Sequence, residues 1–140
     1  MLNNKVHDSQ MKKLVSPNNS QNKPYDILNI NYLKEIDDLV LENPKLNLVM
    51  DFWAEWCSPC KAFSLVFEQL NEEYGEYFLF AKINIELDKK IEWKYKITSI
   101  PTFIIMRNGK LVYMCSEIID YPKLREVLNV YKDTLTSTII

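Results

Sequence analysis

From Tyr25 onward the apolar positions switch between the period of a strand and the period of a helix. "YDILNI" (25–30) reads as a short strand. In "NYLKEIDDLVLEN" (31–43), Leu33, Ile36, Leu39 and Val40 fall at helical spacing, and Pro44 ends the helix. "LNLVMDFW" (46–53) is a nearly continuous apolar run, which suits a central strand covered on both faces. Residues 58–74 put Ala62, Phe63, Val66, Phe67, Leu70 and Tyr74 on one helical stripe, with Gly75 at the C-cap position. "YFLFAKINI" (77–85) reads as a second buried strand and "LDKKIEWKYK" (87–96) as a more polar helix. In "TFIIMRNGKLVYMCS" (102–116), Asn108-Gly109 separates two apolar runs. That pair tolerates the positive φ angles of a tight turn, so an antiparallel hairpin is expected. Asp120 as N-cap and Pro122 in the first turn open a last helix, carried by Leu124, Val127, Leu128 and Tyr131. The order β-α-β-α-β-α-β-β-α, without internal repeat, predicts an α/β sandwich: a mixed sheet, helices on both faces and one hairpin.

Residues 1–24 carry no such pattern. They are rich in Asn, Ser, Gln and Lys, end at Pro24, and read as a flexible polar extension. One domain is expected over 25–133, followed by a short tail, 134–140. A length of 140 residues suits one domain, and an apolar content of 47% can build a core without disulfide staples. The formal net charge of −2 offers no basic field for nucleic acid or a membrane surface. No apolar run reaches the roughly 20 residues that span a bilayer. The first residues lack the apolar stretch of a secretory signal, which points to the cytoplasm. Their lysines and single acid, Asp8, keep an organellar (for example mitochondrial) transit segment as the alternative, although they contain no arginine.

The cysteines are Cys57, Cys60 and Cys115, too few and too odd in number for a secreted disulfide framework. In a reducing compartment a close pair is catalytic or metal-binding rather than structural. Cys57 directly follows the buried strand, at the start of the next helix. Unpaired N–H groups and the helix dipole there favour a thiolate. Cys60 falls one turn later on the same face and can reach Cys57. The pair can therefore attack a disulfide, form a mixed disulfide and resolve it internally. Closing so short a loop removes little unfolded-state entropy, so stabilisation explains the pair less well. Two plainer readings stand beside this one. Structural zinc needs four ligands, and only Cys115 and His7 are left over, so no metal site is expected. Inert cysteines are usually buried among apolar groups, whereas Trp56, Ser58 and Lys61 look half-exposed.

Asp51 interrupts the central strand. Burying its charge costs several kcal/mol, so its pKa is expected to rise. A carboxyl that titrates near neutrality behind a thiol pair suits proton transfer to or from Cys60. Lys82 raises the same question in "FLFAKINI". If the two strands are neighbours, Lys82 can pair with Asp51 and moderate its pKa. The plainer alternative puts both charges at strand ends, in reach of water.

"DFWAEWCSPCK" (51–61) and "SIPTFIIMRNGK" (99–110) closely resemble the active-site and Ile-Pro-Thr segments of the thioredoxin family, in its order and spacing. The resemblance covers roughly residues 25–133. It implies the thioredoxin fold, a three-layer α/β/α sandwich around a mixed sheet with a C-terminal hairpin and helix. It implies dithiol–disulfide exchange with no cofactor beyond the Cys57–Cys60 couple. Cys57 would be the nucleophile, Cys60 the resolving thiol and Asp51 the buried acid. Pro101 would be a cis-proline facing the disulfide; read alone, it is an ordinary trans turn residue. Ile100 would offer its backbone to an extended substrate, and Trp56 and Pro59 would form an apolar contact surface around Cys57. Some residues depart from the family. Ser58-Pro59 stands in place of Gly-Pro and bears on the redox potential, while the retained Pro59 favours a reductant. Leu65 replaces a kinking proline, which implies a straighter helix. Glu117 replaces a glycine near the substrate groove.

The resemblance thus implies a protein disulfide reductase, monomeric, acting on disulfide-containing proteins and recharged by a thioredoxin reductase or equivalent. Two alternatives stay open: an oxidase or isomerase of an oxidising compartment, and a scaffold module for which Cys57 and Cys60 are dispensable. Cys115 reads as a partly buried spectator, with redox regulation as its alternative.

Overall fold

An apolar run broken by Asp51 forms β2 (Asn47–Trp53), the middle strand of a five-stranded sheet. The computed structural model describes residues 25–116 and 120–139, with side chains up to Thr134. Beside β2 lie β3 (Leu79–Asn84) and β4 (Thr102–Arg107), with β1 (Leu28–Ile30) and β5 (Lys110–Cys115) at the edges, in the order β1-β3-β2-β4-β5. β1, β3 and β2 are parallel; β4 runs antiparallel to β2, and β5 antiparallel to β4. The sheet is therefore mixed, with the expected hairpin at its end.

Strand alternation divides the interior into two cores. Leu48, Met50 and Phe52 join Ala81, Ile83 and Ile104 on the face covered by α1 (Leu33–Glu42) and α3 (Lys89–Tyr95). Val49, Phe80, Phe103 and Ile105 meet α2 (Ser58–Tyr74) and α4 (Tyr121–Ile139) on the other. Helices thus cover both faces, as the alternating periods predict. Asp88 links the first layer: it accepts from Lys90 N–H at 3.1 Å, capping α3, and from Leu33 N–H at 2.9 Å at the start of α1. At the hairpin, Asn108 and Gly109 take φ values of 56° and 75°, as the Asn-Gly signal requires.

Several local readings change. β1 begins at Leu28 rather than Tyr25, because the Tyr25 carbonyl accepts a side-chain N–H from Asn71 at 2.9 Å. Ala62 is exposed; the buried stripe of α2 is Cys60, Phe63, Phe67, Leu70, Asn71 and Tyr74. Gly75 caps α2 with a φ of −63°, so it is needed for space and not for a left-handed turn. A Cβ there would stand 2.8 Å from the Tyr25 ring. α2 is continuous past Leu65, and α4 runs on to Ile139. The extension 1–24, with His7, and Glu117 lie outside the described residues.

Phe67 sits at the centre of an aromatic cluster with Phe63, Phe80 and Phe103, ring centroids 5.1–6.4 Å apart. It is fully buried, whereas Leu65 on the same helix is 68% exposed. Phe67→Ala is expected to cost about 3–5 kcal/mol in urea unfolding. Leu65→Ala should stay within about 0.5 kcal/mol of the parent chain. Equal losses from both would contradict the assigned helix face.

Candidate active site

The carboxyl end of β2 leads through Ala54–Trp56 into α2, with no intervening element. Cys57 is the N-cap of α2, in extended backbone conformation, and its Sγ accepts the Cys60 N–H at 3.2 Å. Pro59, in the first helical turn, lacks an N–H where none is needed. Cys57 and Cys60 are joined by a disulfide, their Cα atoms 5.3 Å apart, and both are nearly buried. Around them Ser58, Pro59 and Lys61 are exposed, and Trp56 is 71% exposed. The pair thus lies just beneath an exposed rim in which Trp56 and Pro59 supply the apolar surface.

A second segment meets the first there. The carbonyl oxygen of Ile100 lies 3.8 Å from Cys57 Sγ, and the Ile100–Pro101 peptide is cis. Pro101 is buried and Ile100 half-buried. Thr102, fully buried, donates its hydroxyl to the Ser99 carbonyl at 2.6 Å and closes the loop before β4. Cys57, Cys60, Ile100 and Pro101 therefore form one cluster, with Trp56 and Pro59 at its surface.

Asp51 has no exposed surface, which removes the alternative of a carboxyl at a wet strand end. In register it stands between Lys82 on β3 and Phe103 on β4. Neither carboxylate oxygen meets a hydrogen-bond donor of the protein. Burial pushes its pKa up to about 7, against a smaller downward pull from the Lys82 charge. Lys82 is thus a neighbour of Asp51, as the sequence allowed. Its ammonium does not pair with Asp51 but donates to Ser64 Oγ at 2.6 Å and lies 5.3 Å from the centre of the Trp53 ring.

Sequence reasoning missed two supports. Glu86 accepts the Glu55 N–H at 2.9 Å and ties the Trp56 loop to the exit of β3. Ser64 holds Lys82. Neither carries a pattern signal, since an acid after a strand and a serine in a helix usually face water. Cys115, half-buried on β5, is in no disulfide. Among the described residues no cluster of His, Cys, Asp and Glu is placed to hold a metal ion, and no helix is long and apolar enough to cross a membrane.

Comparison with known proteins agrees with this geometry. The family model named Thioredoxin matches residues 30–130. A thioredoxin of Buchnera aphidicola subsp. Baizongia pistaciae is 37% identical over 92 residues, covering 66% of this chain and 84% of that protein. A thioredoxin of Listeria monocytogenes is 36% identical over 104 residues, covering 71% of this chain and 98% of its own length. The X-ray structure of Fasciola hepatica thioredoxin superposes with a TM-score of 0.67 at 31% identity, over 74% of this chain and 97% of that one. The chain belongs to the thioredoxin family.

Proposed function

We propose that this thiol–disulfide oxidoreductase works as a protein disulfide reductase through the Cys57–Cys60 couple, with Asp51 as its proton carrier. The observation that carries the reading is the placement of Cys57. Its sulfur caps the N-terminus of α2, within reach of Cys60 and beside the Ile100–Pro101 segment. In the reduced chain the Cys60 N–H and the helix dipole favour a thiolate at Cys57. That thiolate attacks a substrate disulfide. A Cys57–substrate bond forms, and one substrate sulfur leaves as a thiolate that takes up a proton. Cys60 then gives its proton to the Asp51 carboxylate and attacks Cys57 Sγ. The second substrate thiol leaves, the Cys57–Cys60 disulfide closes, and two electrons have passed to the substrate.

The substrate would lie extended along Ile100, whose backbone offers a strand-like pairing edge, against the apolar surface of Trp56 and Pro59. A thioredoxin reductase or equivalent returns the two electrons. No bound cofactor is needed, because the electrons reside in the dithiol. The chain acts as a monomer in the cytoplasm, and its reactive unit is the domain over residues 25–133.

Cys57→Ser is expected to abolish reduction of a disulfide-bonded test protein with dithiothreitol as electron donor. Cys60→Ser should retain attack and accumulate mixed disulfides, visible on non-reducing gels. Activity that survives Cys57→Ser would favour the scaffold alternative.

Burial of Asp51 also sets a pH dependence of stability. Below about pH 4 the folded and unfolded chains both hold the proton. Between about pH 4 and 7 only the folded chain holds it, so stability falls as pH rises and levels off above the folded pKa of about 7. Asp51→Asn removes this dependence. In urea unfolding of the oxidised protein, its stability advantage should grow by about 1.4 kcal/mol per pH unit across that window, to at most about 4 kcal/mol. A difference that does not vary with pH would mean that Asp51 is ionised throughout.

A further inference from the structure

Lys82 is the register partner of Asp51, and paired residues on neighbouring strands face the same side of a sheet. An ammonium placed beside a buried carboxyl would ordinarily pair with it. Here Lys82 Nζ is held by Ser64 Oγ at 2.6 Å, over the Trp53 ring, and no ion pair joins it to Asp51. Ser64 lies one turn beyond Cys60 on α2, so the hydroxyl comes from the helix that carries the thiols.

We propose that Ser64 is a positioning residue: its hydroxyl fixes the Lys82 ammonium against α2 and Trp53 and keeps the Asp51 carboxyl free of an ion-pair partner. The inference rests on the reading of Asp51 as proton carrier. A carboxylate paired with a lysine is a weak base, because the cation stabilises its charged form. Held at Ser64, Lys82 exerts only a pull that burial outweighs, and the carboxyl titrates where a thiol proton can be exchanged.

The surroundings decide where a released ammonium would go. Lys82 is the charge that acts on Asp51, and the other register partner of Asp51, Phe103, is apolar. Across from Lys82 on β1 stands Asn29, which is uncharged. Glu68 on α2 and Asp26 ahead of β1 line the same groove as Lys82. Asp26 is exposed and Glu68 half-buried, so water screens both and a pair with either gains little. Asp51 is the buried, unpartnered acceptor and gains most from the ammonium once Ser64 lets it go.

The test is a carbon-13 NMR titration of the Asp51 carboxyl in the oxidised full chain. Ser64→Ala should lower its midpoint by about one pH unit, the order of effect of an approaching opposite charge. Ser64→Thr, which keeps the hydroxyl, should leave it in place. Lys82→Met should raise it, and adding Ser64→Ala to Lys82→Met should produce no further change. An unmoved or raised midpoint in Ser64→Ala overturns the inference, and so does an equal fall without Lys82. The pH profile of substrate release from the Cys57 mixed disulfide reads the other premise. If the carboxyl midpoint falls in Ser64→Ala while that profile stays unchanged, Ser64 positions Lys82 as proposed, but Asp51 is not the proton carrier.

Discussion

The hydrogen bond from the Cys60 N–H to Cys57 Sγ is the contact on which the proposed chemistry depends. It exists because β2 leads almost directly into α2, so the first sulfur becomes the helix cap. In the oxidised chain that N–H meets a neutral sulfur. In the reduced chain it meets a developing anion, and a charge-assisted bond is the stronger one. The same junction fixes the rest of the site. α2 can begin there only if β2 ends at the rim of the sheet, and β2 is central because it pairs with β3 on one edge and β4 on the other.

Two anions are treated in opposite ways within this short span. At Cys57 the helix end favours negative charge, typically by about 0.3–1 kcal/mol and by up to about 2 kcal/mol when partly buried. At Asp51 the apolar interior opposes it. A rise from 3.8 to about 7 corresponds to roughly 4 kcal/mol. The larger effect therefore falls on the carboxyl. The thiol nearer the surface is made easier to ionise, and the acid behind it is made harder to ionise. In the proposed mechanism the raised carboxyl lies closer to the thiol range, so that proton exchange with Cys60 would cost less than it would with an ordinary carboxyl.

Much of this was legible in the sequence because apolar periodicity and turn chemistry reflect local physics. Ser58–Tyr74 came out as the helix read from 58–74, and Asn108-Gly109 made the expected hairpin. Asp51 was recognisable as an acid inside an apolar strand, and burial bore out its raised pKa. Polar residues with buried partners were not legible. Asn71 is buried on α2 although the apolar stripe leaves it out, because hydropathy cannot register a side chain whose amide N–H finds the Tyr25 carbonyl. Lys82 could be read as pairing with Asp51 or as reaching water; it does lie beside Asp51 and lower its pKa, but Ser64, invisible to periodicity, holds the ammonium. Gly75 was read correctly as a cap but for a different reason, since crowding by Tyr25 cannot be seen from spacing along the chain. The cis peptide before Pro101 was accessible only through the family resemblance.

The central claim is that the start of α2 activates Cys57. The most direct measurement is the rate at which iodoacetamide alkylates Cys57 in the reduced protein as a function of pH, followed by mass spectrometry. A midpoint well below the ordinary cysteine value of about 8.5 is predicted. A midpoint at or above about 8.5 would contradict the account, because the helix end would then not be stabilising the thiolate.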